Sequence, residues 1–406
     1  MPATGSSESK RRTRRWGLFG VAPVCLKAIR MTDNLLIVAD SDRDADMLYA
    51  VGMFVPDPFI YLRFNGKCHV VMSDTEIDRA RKEARHCKII SWSGCVKQLR
   101  ADGEKNISVA RVIRFVLRSK RIKKIKVPAS FPLCLAEELR KLKVKVKCKP
   151  GAFFPERARK SAEEVKRISG ALMMAEVGLA EGIQALKNSR IGRDGRLIYR
   201  NNPLTSEKLR AIIDTAILQA GGVASHTIVA GGEQACDPHE VGHGVLRARK
   251  PIIIDVFPRS QKTGYFGDIT RTVVKGRARE AVRKLYDTVG RGQEIAFEAM
   301  RQGAVSVDIH AKVQEFFASE GYKTGRHNGR LQGFFHGTGH GVGMEIHEAP
   351  RVGPTSKDKL MPGHVVTVEP GLYYPGLGGV RLEDMALVTS NGPKNLTKFE
   401  KVLEIS

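Results

Sequence analysis

The chain has 406 residues and a formal charge of +25, with 42% hydrophobic and 27% charged side chains. That length allows two domains with full cores, and that composition reads as a soluble globular protein, excluding a disordered chain. No apolar run approaches the roughly 18 to 20 residues that span a bilayer, so no membrane association is expected.

Residues 1–30 set the basic cluster KRRTRRW before a short apolar stretch that Pro23 and Lys27 interrupt. No small-x-small cleavage site follows. The segment therefore reads as a basic, disordered extension, or as a start assigned upstream of Met31, and not as an export signal. From Met31 onward strand and helix signals alternate. LLIVA reads as a buried strand, and FIYLRFNGKCHVVM as two strands around Asn65-Gly66, a strong hairpin signal. TEIDRARKEAR reads as a helix, KIISW as a strand, VARVIRFVLRS as a helix and KKIKV as a strand. A helix is expected near Leu133 to Leu142. Beyond it Lys141, Lys143, Lys145, Lys147 and Lys149 alternate with mainly apolar positions, the pattern of a strand with one wet face. Much of the positive charge lies in this first part of the chain. The alternation, and the lack of an RNP, KH or zinc-finger signature, favour a solvated face over a nucleic-acid footprint. Residues 31–153 are thus expected to form an α/β domain.

Pro150, Gly151 and Pro155 punctuate the seam, and 154–406 read as a second domain. Ser161 and Glu164 have the capping-box spacing ahead of a long helix. Its stripe is Val165, Ile168, Leu172, Ala175, Leu179, Ile183 and Leu186. Amphipathic helices follow around Leu209 to Ile217, Val282 to Met300 and Ile309 to Phe317, and strand signals dominate elsewhere. That segregation points to an α+β domain. Seven cysteines without a CxxC pair (Cys25, Cys68, Cys87, Cys95, Cys134, Cys148 and Cys236) predict reduced, mostly buried thiols in a reducing, cytoplasmic compartment.

The stretch HGTGHGVGMEIHE, residues 336–348, packs His336, His340 and His347 among four glycines. Glycines spoil a helix and the spacing is not HExxH, so these histidines read as ligands of a metal whose other ligands lie elsewhere. Asp255 closes PIIIDVF, Glu369 follows VVTV, Glu383 sits in GGVRLEDMALV and Asp268 opens DITRTVV. Burying four unpaired carboxylates is costly, so acids aimed into apolar strands must meet cations. Four carboxylates and an imidazole make a hard, oxygen-rich site for two divalent ions such as Mn²⁺, Co²⁺ or Zn²⁺.

The ordered set Asp255, Asp268, His340, Glu369 and Glu383, in the contexts IIIDVF, GDITRT, GTGHGVGMEIHE, VTVEPGLYY and GGVRLED, resembles the pita-bread metallopeptidases. The GHGVG…HE, EPG and RLED elements look most like the branch of aminopeptidase P and prolidase, and the preceding domain is similar to that branch's creatinase-type N-terminal domain. The resemblance implies an α/β creatinase-type domain followed by an α+β pita-bread catalytic domain. It implies two divalent ions, Mn²⁺ first among them. Asp255 would serve one ion, His340 and Glu369 the other, and Asp268 and Glu383 both. A hydroxide held between the ions would be the nucleophile, with Glu369 accepting and shuttling its proton. His239, in ACDPHEVGHG, and His347 match histidines that bond the substrate and the oxyanion, with His243, four residues beyond His239, as a competing match, and His336 resembles a further substrate-side histidine. The link after Asp255 departs from the family's D-x-G start, reading Asp255-Val-Phe-Pro. The expected activity is removal of an N-terminal residue preceding proline by a homodimeric enzyme, with a prolidase confined to Xaa-Pro dipeptides as the alternative. Arg351 and Arg381 are candidates to meet a substrate carboxylate, with Arg381 equally a candidate partner of the metal-binding acids. A non-catalytic pita-bread binding protein or a creatinase-like hydrolase is disfavoured, because all five ligand positions are filled.

Overall fold

The computed structural model describes residues 33–406, so the expectation for residues 1–30, like Cys25, lies outside the described residues. The contacts divide the chain into two compact units, one ending at Pro150 and one running from Gly151 to Ser406.

The first unit is α/β. Its elements are β1 (Leu35–Ala39), α1 (Ala45–Val51), β2 (Phe59–Phe64), β3 (Lys67–Met72), α2 (Ile77–Glu83), β4 (Cys87–Ser91), α3 (Trp92–Ala101), α4 (Val109–Ser119), β5 (Lys124–Val127), α5 (Leu133–Lys141) and β6 (Lys145–Cys148). The strands form one sheet in the order β4-β3-β2-β1-β5-β6. Asn65 and Gly66 both take positive φ, 51° and 72°, which a primed hairpin turn requires, and they set Phe64 opposite Lys67. Helix α4 forms where expected. Ser108 caps it through the N–H of Arg111, and Ala110, Ile113, Val116 and Leu117 line its buried face. Two helices were not foreseen. Helix α1 is too short to show a period, and α3 begins at Trp92, where Ser91 both ends β4 and caps the helix. The lysine-bearing strand is shorter than its alternation suggests. Lys141 closes α5 and Lys143 sits in a turn at φ 64°, because the stripe of Leu135 and Leu139 extends the helix into the pattern. Among the described cysteines Cys87, Cys95 and Cys236 are buried but Cys134 and Cys148 are exposed, so "mostly buried" overstated the case; all six are free.

The second unit is α+β. Helices α6 (Ala162–Lys187) and α7 (Ser206–Gln219) are followed by β7 (Ile228–Gly231), β8 (Ile252–Val256), β9 (Ile269–Lys275), α8 (Glu280–Ala299) and α9 (Ser306–Ser319). Then come β10 (Gly339–Gly341), β11 (Glu348–Val352), β12 (Val365–Val368), β13 (Gly371–Tyr374), β14 (Gly378–Arg381), β15 (Asp384–Thr389) and β16 (Gly392–Asn395). Strands β7, β8 and β9 pair in that order, with a C-terminal Glu404–Ile405 strand beside β9. Ile252, Ile253 and Ile254 are all buried because β8 lies between two strands and under α6. The order β11-β10-β12-β15-β16 makes the other large sheet. Helices α8 and α9 cover it, packing Leu285, Val289, Ile309, Val313 and Phe317 on Val366, Val368, Ala386 and Val388. The two sheets join where Thr270 of β9 bridges Glu383, just before β15. Among the described residues no helix is long and apolar enough to cross a membrane.

The Ser161 hydroxyl accepts from the N–H of Glu164 at 3.3 Å, and the Glu164 carboxylate accepts from the N–H of Ser161 at 2.9 Å. Ser161→Ala should therefore lower the stability of this unit by about 1 kcal/mol. Chemical denaturation followed by fluorescence checks it, and an unmoved midpoint would show the cap to be dispensable.

Candidate metal centre

The four acids and one histidine proposed as ligands lie on or beside strands around one cleft. Asp255 is near the end of β8, Asp268 immediately precedes β9, His340 is central in β10, Glu369 follows β12 and Glu383 precedes β15. Register brings them together: Asp255 lies opposite Thr270, and Thr270 bridges Glu383. His340 Nε2 is 3.7 Å from an Asp268 oxygen and 3.3 Å from Glu369 Oε1. Ligand atoms of Asp268, His340 and Glu383 all lie within 4.8 Å of one another.

Four of the five side chains are oriented by a neighbour. The Thr270 hydroxyl donates to Glu383 Oε2 at 2.7 Å. The Thr367 hydroxyl donates to Glu369 Oε1 at 3.2 Å and accepts from the N–H of His340 at 3.1 Å. His340 Nδ1 donates to the Gly341 carbonyl at 3.2 Å, which leaves the lone pair of Nε2 facing the acids. Arg381 Nη2 donates to Asp255 Oδ2 at 2.7 Å, while Asp255 Oδ1 is buried without a hydrogen-bond partner.

Burial raises Asp268 and Glu383 well above the usual carboxylate range; repulsion from Asp255 and Glu369 adds to it in both, and that from Glu383 adds to it in Asp268. Burial also raises Asp255, against the pull of Arg381. Burial acts on Glu369 in the same direction, but His340, His336 and Arg381 outweigh it and hold the group down at about 2. An orphaned carboxylate oxygen amid crowded acids is what a cation would relieve. Four carboxylates and an imidazole are a donor set that fits hard divalent ions.

The cleft, roughly 680 Å³, is also lined by His239, His336, His347, Phe257, Phe335 and Arg351. His239 lines it, whereas the side chain of His243 is 72% exposed beside Glu240. His347 meets His340 edge to face at 4.3 Å. His336 donates from Nδ1 to the Gly337 carbonyl and accepts at Nε2 from Tyr373 Oη, both at 2.8 Å. Burial pushes this imidazole down to about 4, so it is neutral at pH 7. Tyr373 Oη in turn accepts from Arg381 Nη1 at 3.1 Å. The glycine-rich run has a steric cause. A Cβ would lie 2.0 Å from the Thr367 carbonyl oxygen at Gly339 and 2.3 Å from that of Ala349 at Gly341, so only glycine lets β10 bring His340 this close to its neighbours.

Sequence reasoning missed Tyr373, Thr270 and Thr367. The two threonines had a readable signal, since each stands two residues from a ligand and so shares its strand face. It also missed a clamp on the loop after His340. Glu348 is ion-paired with buried Lys160 and, at 2.9 Å, with Arg157, which reaches Glu345 at 2.8 Å.

An acid-rich cleft with these histidines defines a metal-dependent hydrolase. Residues 166–390 match the model of metallopeptidase family M24. An Xaa-Pro dipeptidase of Pyrococcus horikoshii is 32% identical over 311 residues, or 75% of this chain and 82% of that protein. An Xaa-Pro dipeptidase of Pyrococcus furiosus is 35% identical over 180 residues, or 44% of this chain and 49% of that protein. The structure of an X-Pro aminopeptidase from Thermotoga maritima superposes with a TM-score of 0.77 at 22% identity, covering 92% of this chain and 98% of that one, which shows a shared fold. The prolidase from Pyrococcus horikoshii superposes with a TM-score of 0.73 at 26% identity, over 92% and 95%. This chain belongs to metallopeptidase family M24.

Divalent cations should raise the melting temperature of metal-stripped protein, by the equivalent of about 2.7 kcal/mol at a hundredfold excess over Kd. The rise should shrink in Asp268→Asn. Scanning calorimetry with and without Mn²⁺ checks this, and superimposable melts of the stripped wild type would count against a cation site.

Proposed function

We propose that this chain hydrolyses the bond between an N-terminal residue and proline, with two divalent ions, Mn²⁺ first among them, held by Asp255, Asp268, His340, Glu369 and Glu383. The observation that carries the reading is the convergence of these five side chains on one cleft with His340 Nε2 turned toward the acids. Bound divalent ions supply Lewis acidity toward a carbonyl and bring the pKa of a water toward neutrality. The chain's own groups do the rest. The Glu369 side chain is 18% exposed and Asp268's 5%, so Glu369 is the more accessible acid to take a proton from a water in the cleft. It can return that proton to the leaving nitrogen, which in an Xaa-Pro bond carries no hydrogen of its own. His347 and His239 stand on the cleft wall, where a donor meets the carbonyl oxygen as it gains charge. His336, fixed by Tyr373, offers a neutral edge on the substrate side. Among the described residues all six cysteines are free, which supports a reducing, cytoplasmic setting.

Between dipeptides and longer substrates, Arg351 favours dipeptides, in line with relatives named Xaa-Pro dipeptidase. Arg381 is committed to Asp255 and Tyr373 inside the wall. Arg351 lines the cleft, with its backbone N–H donating to Asp358 at 2.9 Å, and it is the cation we assign to the carboxylate of a terminal proline. Xaa-Pro should then be cleaved with a higher kcat/KM than Xaa-Pro-Yaa, and Arg351→Met should raise KM for the dipeptide about 10- to 100-fold. Equal turnover of both lengths, unaffected by that substitution, would favour the aminopeptidase reading.

Ligand and donor roles separate by metal content. Glu383→Ala should lose metal together with turnover. His347→Ala should keep its metal and lose about 10² to 10³ in kcat, the scale for one oxyanion donor. Elemental analysis and steady-state kinetics on the same preparations decide it, and metal loss in His347→Ala would reverse the assignment.

A further inference from the structure

Gln293 lies in α8, only 1% exposed, with no part in the cleft lining. Its Nε2 donates to the carbonyls of Val368 at 2.7 Å and Leu382 at 3.1 Å. Each of those carbonyls belongs to the peptide plane that leads into a carboxylate of the centre, Glu369 in one case and Glu383 in the other. The opposite ends of the same two planes are also held: the N–H of Glu369 bonds the Thr338 carbonyl at 2.8 Å, and that of Glu383 bonds the Thr270 carbonyl at 3.1 Å. Both planes sit where the β12–β15 pairing ends, at Val368 opposite Asp384, so that ladder does not orient them further. One amide thus ties together two carboxylates that stand at the ends of different strands, Glu369 after β12 and Glu383 before β15.

We infer that Gln293 is a positioning residue for the metal centre, setting the separation and aim of Glu369 and Glu383 through their backbone. This rests on the reading of those acids as ligands. A peptide plane released from its carbonyl bond can tilt, and a tilt at the residue preceding Glu369 or Glu383 swings its carboxylate. Both acids would move, so the effect falls on the geometry shared between ions more than on His340. The two hydrogens of the amide nitrogen match two acceptors, which no side chain of similar length except glutamine supplies.

The test is metal binding by isothermal titration calorimetry on stripped protein, comparing wild type with Gln293→Met, which keeps the bulk and removes both donors. Val282→Ala, at a buried position near the start of the same helix, reports what general destabilisation does. Gln293→Met should bind Mn²⁺ about 10- to 100-fold more weakly in at least one step, the scale for outer partners of metal ligands. Val282→Ala, compared at equal depression of the melting temperature, should bind as the wild type does. Binding by Gln293→Met within twofold of wild type, or an equal loss in Val282→Ala, overturns the inference while leaving the ligand assignment standing. A wild type that binds no divalent ion overturns both. Should Gln293→Met fail to fold, Gln293→Asn takes its place, with an amide one methylene too short to span both carbonyls and the same outcomes expected.

Discussion

The constraint on which the catalytic unit depends is the mutual repulsion of four carboxylates placed in one poorly hydrated cleft. Asp268 and Glu383 are almost wholly buried, and Asp255 and Glu369 stand beside them. Left alone, such a group would take up protons or pull the strands apart. Arg381 answers part of the charge from the side of Asp255, and divalent cations would answer the rest. That an oxygen of Asp255 stays without a partner shows how incomplete the protein's own compensation is. A site that needs cations to be tolerable is one whose folding and loading are linked.

The backbone solves the positioning problem with strand ends. Within a strand side chains point to fixed sides, and at its end the next residue is free of the ladder and can turn its carboxylate into the cleft. Two sheets joined by the Thr270–Glu383 bridge bring three such positions, Asp268, Glu369 and Glu383, together with Asp255 and His340, which lie within β8 and β10, from parts of the chain more than 100 residues apart. Hydroxyls two residues from Asp268 and Glu369 then orient the oxygens, and Lys160 and Arg157 hold the loop that carries His347 through Glu348. The cleft is thereby built on rigid elements, which is what accurate placement of reacting groups requires.

The polar network behind the cleft has a direction. Asp255 engages Arg381, Arg381 engages Tyr373, and Tyr373 engages His336. The Asp255 carboxylate is therefore linked through three hydrogen bonds to an imidazole elsewhere on the cleft wall. The neutral state of His336 follows from its burial, and the neutral tautomer is the one that can accept from Tyr373.

Much of this was legible in the chain itself. Hairpin, capping box, the stripe of α6 and the isoleucine run of β8 are local patterns, each with its own stereochemical cause, and all formed as read. The ligand candidates were legible because acids in apolar strands contradict their surroundings, and such a contradiction marks chemistry. The short helices α1 and α3 were not, because seven to ten residues hold too few turns to show a period, and the lysines at 141 and 143 imitated a strand that α5 had already claimed. Nor were the partners. Whether Arg381 would meet a substrate or Asp255, whether His239 or His243 would reach the cleft, and that Tyr373, Gln293 and Lys160 would matter were decided only by tertiary structure. Residue type and local order are written in sequence, but a hydrogen bond across more than 70 residues depends on the angle at which two sheets and a helix meet, and no local pattern encodes that angle.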